Sequence, residues 1–293
     1  LENIDREYSS IILEADLILS MIQAFLLEDY KAADRQSATD QPTEGSPLLN
    51  YVKAIVQLKI HHALAARRLL ESGEQKLPFH DYLIAETYFQ AQSYQKAISH
   101  YQKFLGTFKG VSYVKDAYLK IGMSYGLLED IDEYDRYLIL ATKNGSTQSE
   151  IDKNAAKIIK DLPNQRPIAL KIRYAIDGGF YDLAHQLIEQ YESEKITKYE
   201  RLELTYRKAR INHLSGQTQK ALGLYRLVIE NADLISETYY GPNSFLQAGY
   251  LMREIGNNES ALMYFEEVLK LKKHPYKVSL DSKAKIAIQR LDR

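Results

Sequence analysis

Apolar residues recur along this chain at helical spacing, and from about residue 77 onward the helices come in repeating pairs. The clearest pair is FLQAGYLMREIGNNESALMYFEEVL, residues 245–269. Its Gly249 stands twelve positions before Ala261, Gly256 marks the turn, and Phe265 follows Ala261 by four. YLIAETYFQAQSYQKAISHYQKFL fits the same template with Ala85, Ala97 and Tyr101. YRKARINHLSGQTQKALGLYRLVI fits it with Ala209, Gly216, Ala221 and Tyr225. Two weaker copies carry Gly122, Tyr125 and Tyr134, and Ile172, Gly179, Ala184 and Ile188. Equivalent positions 97, 134, 184, 221 and 261 are separated by steps of 37, 50, 37 and 40.

Ala85, Gly122, Ala209 and Gly249 fall where the two helices of a pair must approach closely, and a larger side chain there would overpack the contact. Tyr88, Tyr101, Tyr125, Tyr225 and Phe265 are the expected knobs between helices, which accounts for 23 Tyr in a chain without Trp. Gly179, Gly216 and Gly256 end the first helix of their pairs by taking the left-handed conformation. A period near ~34 residues with small residues at the close contacts is the signature of tetratricopeptide repeats, and residues 77–275 resemble that family. The resemblance implies an all-α fold, a right-handed α-α superhelix. Asp81, Tyr118, Ile168, Thr205 and Phe245 depart from it, standing where the family often has Trp.

Outside the five units the pattern remains helical. Residues 4–36 read as helix, including the apolar run 11–27; its Glu14 and Asp16 argue against a membrane span and for a buried helix. Residues 27–36 turn into a degenerate repeat helix, and SATDQPTEGSP, 37–47, is predicted to be a mobile loop. Residues 48–71 form a long helix or helical pair ending at Ser72 and Gly73. These degenerate repeats make up an N-terminal part, 1–73, ahead of a solenoid over 77–293. The step of 50 accommodates an inserted helix at 147–161, stopped by Pro163, with Pro167 in the first turn of the next helix. At the C-terminus, 279–291 places Leu280, Ala284, Ala287, Ile288 and Leu291 on one face and Asp281, Lys283, Lys285, Gln289 and Arg290 opposite, as a capping helix requires.

Composition removes several classes of function. With 38 basic and 39 acidic residues the net charge is −1, which gives no electrostatic footprint for nucleic acid. There is no cysteine, hence no disulfide, thiolate metal site or cysteine nucleophile. His61 and His62 are adjacent, and neighbours on a helix point about 100° apart, so they do not converge on one metal. Gly178–Gly179 lacks the lysine and hydroxyl residue of a phosphate loop, and no nucleophile-elbow or zinc-helix motif occurs. Glu129–Asp130 and Glu266–Glu267 read as solvated helix ends. The sequence therefore predicts no metal, no cofactor and no enzyme.

The family's inner-groove positions fall on Tyr82, Glu86, Phe89, Leu119 and Met123 in the first two units. They continue as Arg166, Ala169, Arg173 and Ile176, then Glu203, Tyr206, Arg210 and His213, and finally Asn243, Leu246, Tyr250 and Arg253. Arg173, Arg210 and Tyr250 take the same inner position in successive units. Guanidinium forks suit carboxylates and phenol faces suit peptide side chains, so Arg173, Tyr206, Arg210, His213, Asn243, Tyr250 and Arg253 form the candidate ligand surface. The competing reading pairs these arginines with Glu203, Asp177 or Glu254. The family's carboxylate clamp for chaperone tails wants Asn at this inner position in two successive units, and Glu86, Met123, Arg173, Arg210 and Tyr250 do not supply it.

The expectation is a non-enzymatic scaffold that binds a protein or an acidic peptide in its concave groove. The alternative is a structural or assembly segment of a larger envelope protein, making contacts through its ends or convex face. Residues 239–291, through YYGPNS and HPYK…DSKAK, resemble the C-terminal end of long tetratricopeptide proteins of Bacteroidetes-type bacteria. That resemblance implies an exported or periplasmic, longer parent, and Leu rather than Met at position 1 points to a trimmed or processed start.

Overall fold

The computed structural model describes residues 47–72, 77–162, 166–231 and 238–291, with Leu19, Met21, Ile22, Ala32, Ala33 and Pro42 upstream. The expected helix over 4–36, its apolar run and the loop at 37–47 fall largely outside the described residues, as does Pro163. The described residues form fourteen helices and no strand. In order they are α1 (Pro47–Lys59), α2 (Ala63–Glu71), α3 (His80–Gln90), α4 (Tyr94–Thr107), α5 (Val114–Leu127), α6 (Ile131–Lys143) and α7 (Glu150–Asp161). There follow α8 (Pro167–Asp177), α9 (Tyr181–Glu192), α10 (Lys198–Leu214), α11 (Thr218–Ile229), α12 (Tyr240–Glu254), α13 (Asn258–Lys270) and α14 (Lys277–Gln289).

The helices pair through one turn repeated six times. A residue at left-handed φ is followed by an amide that bonds to the carbonyl five residues back, which closes a Schellman motif. The left-handed residues are His61, Gln92, Glu129, Gly179, Gly216 and Gly256. The bonds run from His62 to Gln57 (2.8 Å), Ser93 to Tyr88 (2.9 Å), Asp130 to Tyr125 (3.0 Å), Phe180 to Ala175 (2.8 Å), Gln217 to Asn212 (2.8 Å) and Asn257 to Met252 (2.9 Å). Glycine fills the expected turns at 179, 216 and 256, while three side-chain-bearing residues hold the same conformation elsewhere. His61 thereby adds α1–α2 to the series as a sixth hairpin.

The close contacts lie where the small residues predict them. Ala85, Ala97, Ala184, Ala209, Ala221 and Ala261 are fully buried. A Cβ on Gly249 would sit 2.4 Å from the Phe265 ring, and one on Gly122 would sit 3.3 Å from Tyr137 Cβ. Ala221→Leu is therefore expected to lower stability by about 1–3 kcal/mol through overpacking, and an unchanged thermal transition would remove Ala221 from the helix–helix contact. Tyr101, Tyr225 and Phe265 are fully buried knobs. Tyr88 and Tyr125 are only half-buried. Tyr88 stacks on His100 (5.6 Å) with the Arg67 guanidinium 3.8 Å over its ring, and Tyr125 stacks on Tyr137 (5.5 Å).

Two compact units result, Leu1–Ala184 and His185–Arg293. The boundary falls within α9, inside the stretch that the sequence reads as one array. In the first unit, α1 pairs with α2, α3 with α4 and α5 with α6; α7 packs on α5, and α8 lies against α3 and α5. In the second, α10–α11 and α12–α13 are hairpins, and α14 packs on α12 and α13. The inserted helix begins at Glu150, capped by the Ser149 hydroxyl, which accepts from the Asp152 amide. The terminal helix begins at Lys277 and buries Leu280, Ala284 and Ala287 as expected of a cap.

Candidate functional site

The inner helices of the second unit stand in a register of 37 residues, one repeat. Asn243 Nδ2 on α12 donates to the Tyr206 hydroxyl on α10, and Arg210 Nη1 donates to Gln247 Oε1 one turn further on, both pairs 37 apart. Tyr206, Arg210, His213, Asn243, Tyr250 and Arg253 are thus brought onto two adjacent helices. Tyr206, Asn243 and Tyr250 are 3%, 3% and 5% exposed, so they form the floor of the surface. Tyr206 packs among Tyr240 (5.2 Å), Tyr239 (6.1 Å) and Tyr225 (6.3 Å), while Tyr250 meets Phe265 edge-on at 5.5 Å. Arg210, His213 and Arg253 keep part of their surface above that floor. The Arg253 guanidinium lies 5.3 Å over the Tyr250 ring. His213 approaches the Tyr225 hydroxyl through Nδ1 (3.3 Å) and Glu254 through Nε2 (4.0 Å).

Of the acidic partners named in the competing reading, Asp177 does pair with Arg173. Glu203 pairs with Arg207 at 3.0 Å rather than with Arg210. Gln247, which no sequence motif singles out, accepts a hydrogen bond from Arg210. Arg173 belongs to the first unit, where its Nε is 3.9 Å from Asp177 Oδ2 and its guanidinium 5.4 Å over the Tyr174 ring. Among the described residues no group of three or more His, Asp or Glu could hold a metal ion, and no helix is long and apolar enough to cross a membrane. His61 and His62 take separate partners, the Asp177 carbonyl (3.1 Å) and Gln57 Oε1 (3.0 Å).

The inner positions of the first unit are filled instead of open. Tyr82, Phe89, Leu119 and Met123, expected along the groove, are at most 2% exposed. Register here is 34 residues: the Tyr82 hydroxyl donates to Asp116 Oδ2 (2.5 Å), and Lys120 Nζ donates to both Glu86 oxygens (3.0 and 3.1 Å). The Tyr101 hydroxyl also donates to Glu86. Asp152 on α7 accepts from the amides of Tyr113 (2.8 Å) and Asp116 (3.1 Å) and so caps α5. Lys115 reaches back to the carbonyls of Ala141 (2.6 Å), Thr142 (3.2 Å) and Asn144 (2.9 Å) and closes the C-terminal end of α6. Lys115, Asp116, Lys120 and Asp152 did not stand out in the sequence, because a lysine or aspartate on a helix ordinarily reads as solvated surface.

Burial pushes the Asp116 carboxyl from 3.8 up to about 6, with Glu86 and Asp152 adding to the rise and Lys120 and the Tyr82 hydrogen bond opposing it. Burial works against the Lys120 charge, yet Glu86 holds its pKa above the usual lysine value. Asp116 binds its proton more tightly in the folded chain than in the unfolded one. Its charge therefore destabilises the fold above about pH 6, and that loss fades as pH falls toward 4. Asp116→Asn keeps an acceptor for Tyr82 and is expected to raise stability at pH 8 by roughly 1–3 kcal/mol. Denaturant titrations should show the advantage shrinking toward pH 5; a constant difference would remove Asp116 as the titrating group.

No protein-family model matches the chain, and no curated protein does. Solved structures similar to it include the TPR2AB domain of yeast Sti1 in a pHSP90 complex, with TM-score 0.33 and 12% identity over 83% of this chain and 97% of that one. The TPR domain of P58(IPK) is similar with TM-score 0.34 and 15% identity over 95% of this chain and 79% of that one. A tetratricopeptide repeat protein from Parabacteroides merdae gives TM-score 0.33 and 15% identity over 95% and 100%. The hairpins of this chain share one turn and small-residue contacts.

Proposed function

We propose that the chain is a non-enzymatic protein- or peptide-binding scaffold, and that α10 and α12 carry its contact surface. The observation that supports this is the register of α10 and α12, which sets Arg210, His213 and Arg253 side by side above a tyrosine floor. Gln247 accepts from Arg210, and a guanidinium fork suits a ligand carboxylate. The preferred ligand is an extended peptide with acidic side chains or a free C-terminal carboxylate. Arg173 lies on α8 in the first unit and pairs there with Asp177. The assembly reading draws on a different observation: Leu227, Met263 and Val278 are 52%, 63% and 83% exposed on α11, α13 and α14.

The test is a titration of fluorescent acidic peptides ending in a free carboxylate. Arg210→Ala and Arg253→Ala, on the α10–α12 face, are each expected to weaken binding by about 1.5–3 kcal/mol, the range for a hydrogen bond to a charged group, while leaving the melting temperature nearly unchanged. Equal affinity of the double variant and the parent would move the contacts off this face and favour assembly through the exposed apolar residues.

A further inference from the structure

The helix that closes the inner face of the first unit has the form of a bound ligand. α8 presents Leu170 and Tyr174, one helical turn apart, to the core formed by α1–α7. The Tyr174 ring stands edge-on to Phe89 at 4.6 Å. Lys120 Nζ lies 4.7 Å over Phe89 and 4.8 Å over Tyr174, so one ammonium, held by Glu86, serves both rings. Ile172, Ala175 and Ile176 are buried as well, and further ties use the backbone of α8. Gln92 Nε2 donates to the Lys171 carbonyl (3.2 Å), and the Ala63 amide donates to the Gly178 carbonyl (3.2 Å). Gly178 lets this end approach closely, because a Cβ there would lie 2.8 Å from Gln90 Cβ. An aliphatic and an aromatic anchor at i and i+4, set in an apolar trough, is the pattern of a helix read by a groove.

The seat is also imperfect. Gln90 is 8% and Tyr94 4% exposed, and among the described residues Gln90 Oε1 and the Tyr94 hydroxyl have no hydrogen-bond partner. Gln90 lies against Gly178, and Tyr94 packs edge-on to the same Phe89 that receives Tyr174. Buried polar atoms left without partners weaken the occupied state. The hairpins beneath also have buried contacts of their own. Ala97, Tyr101, Phe104, Ala117 and Ile121 are fully buried, and α7 already covers the end of α5 through Asp152.

We propose that the inner face of α3 and α5 is a helix-binding groove whose resident occupant is α8, and that a partner helix with an aliphatic residue and a tyrosine four positions apart can take its place. A donor aimed at Gln90 Oε1 would give such a partner a bond that α8 does not make. This surface is separate from the α10–α12 face, and either can fail without the other.

The probe is a fluorescein-labelled peptide of residues 166–179, titrated into the parent and into the Leu170→Ala/Tyr174→Ala variant with anisotropy readout. The vacated variant is expected to bind at least tenfold more tightly than the parent, and adding Phe89→Ala should abolish the gain. Equal or absent binding in both proteins would overturn the proposal. Hydrogen exchange on the parent gives a second reading that needs no variant to fold. The amides of α8 and of Ala63 should exchange faster than those of α3 and α5, whereas equal protection would make α8 an integral part of the unit and sink the idea.

Discussion

Replacing Lys120 by Met is expected to destabilise the chain by about 3–5 kcal/mol, the usual cost of removing one partner from a buried ion pair. The Lys120 side chain is 8% exposed and Glu86 15%, so solvent does little to screen the charge left behind. Loss of the ammonium leaves Glu86 with the Tyr101 hydroxyl and takes the cation from between Phe89 and Tyr174. Glu86→Gln in the same chain removes the orphaned charge while keeping an acceptor for Tyr101. The double variant should therefore recover most of the loss, and urea titrations of the four proteins give the coupling directly. Additive losses would mean that the two side chains act independently. A conventional count of surface charges would miss this pair, since 34 residues separate its members.

Phe265→Ala is expected to cost a similar amount, about 3–5 kcal/mol, because deleting a fully buried ring leaves a cavity that the surrounding helices cannot close. Phe265 fills the space over Gly249 and supports Tyr250 edge-on. Phe265→Leu keeps part of that volume and should cost clearly less in thermal or denaturant unfolding. A loss below about 1 kcal/mol for the alanine variant would mean that α12 and α13 can collapse onto each other. Tyr250 is part of the proposed contact floor, so the same variant should also weaken peptide binding.

The repeats were readable because their geometry is local. A small residue at 249 and a ring at 265 are tied by one hairpin, and Gly179, Gly216 and Gly256 mark turns that need left-handed φ. The turns at His61, Gln92 and Glu129 adopt the same conformation without glycine, so the first hairpin stayed ambiguous between one helix and two. The extra helix was visible in the 50-residue step and starts at Glu150 rather than 147. The path of α8 was not readable. Leu170, Ile172, Tyr174, Ala175 and Ile176 are all buried, and a helix that is apolar around most of its circumference does not declare which neighbour it meets. For the same reason Tyr82, Phe89, Leu119 and Met123 were assigned to an open groove that the chain itself fills. In the second unit the register carried Tyr206, Arg210 and Asn243 onto neighbouring helices, but their partners, Gln247 above all, depend on side-chain reach.

The Gly178 carbonyl that meets the Ala63 amide also sets an order on events in time. α2 has no side-chain cap of its own, and the residues that complete its start, Asp177 and Gly178, come from another part of the unit; His61 and Asp177 are 116 positions apart. Hairpin folds otherwise assemble from near neighbours as each pair leaves the ribosome, whereas closing so long a loop carries an entropy cost that local contacts avoid. The first hairpin can form early in synthesis, but its second helix keeps an open end until α8 has emerged and docked. Completion of that first hairpin is thus tied to translation of a segment far downstream of it.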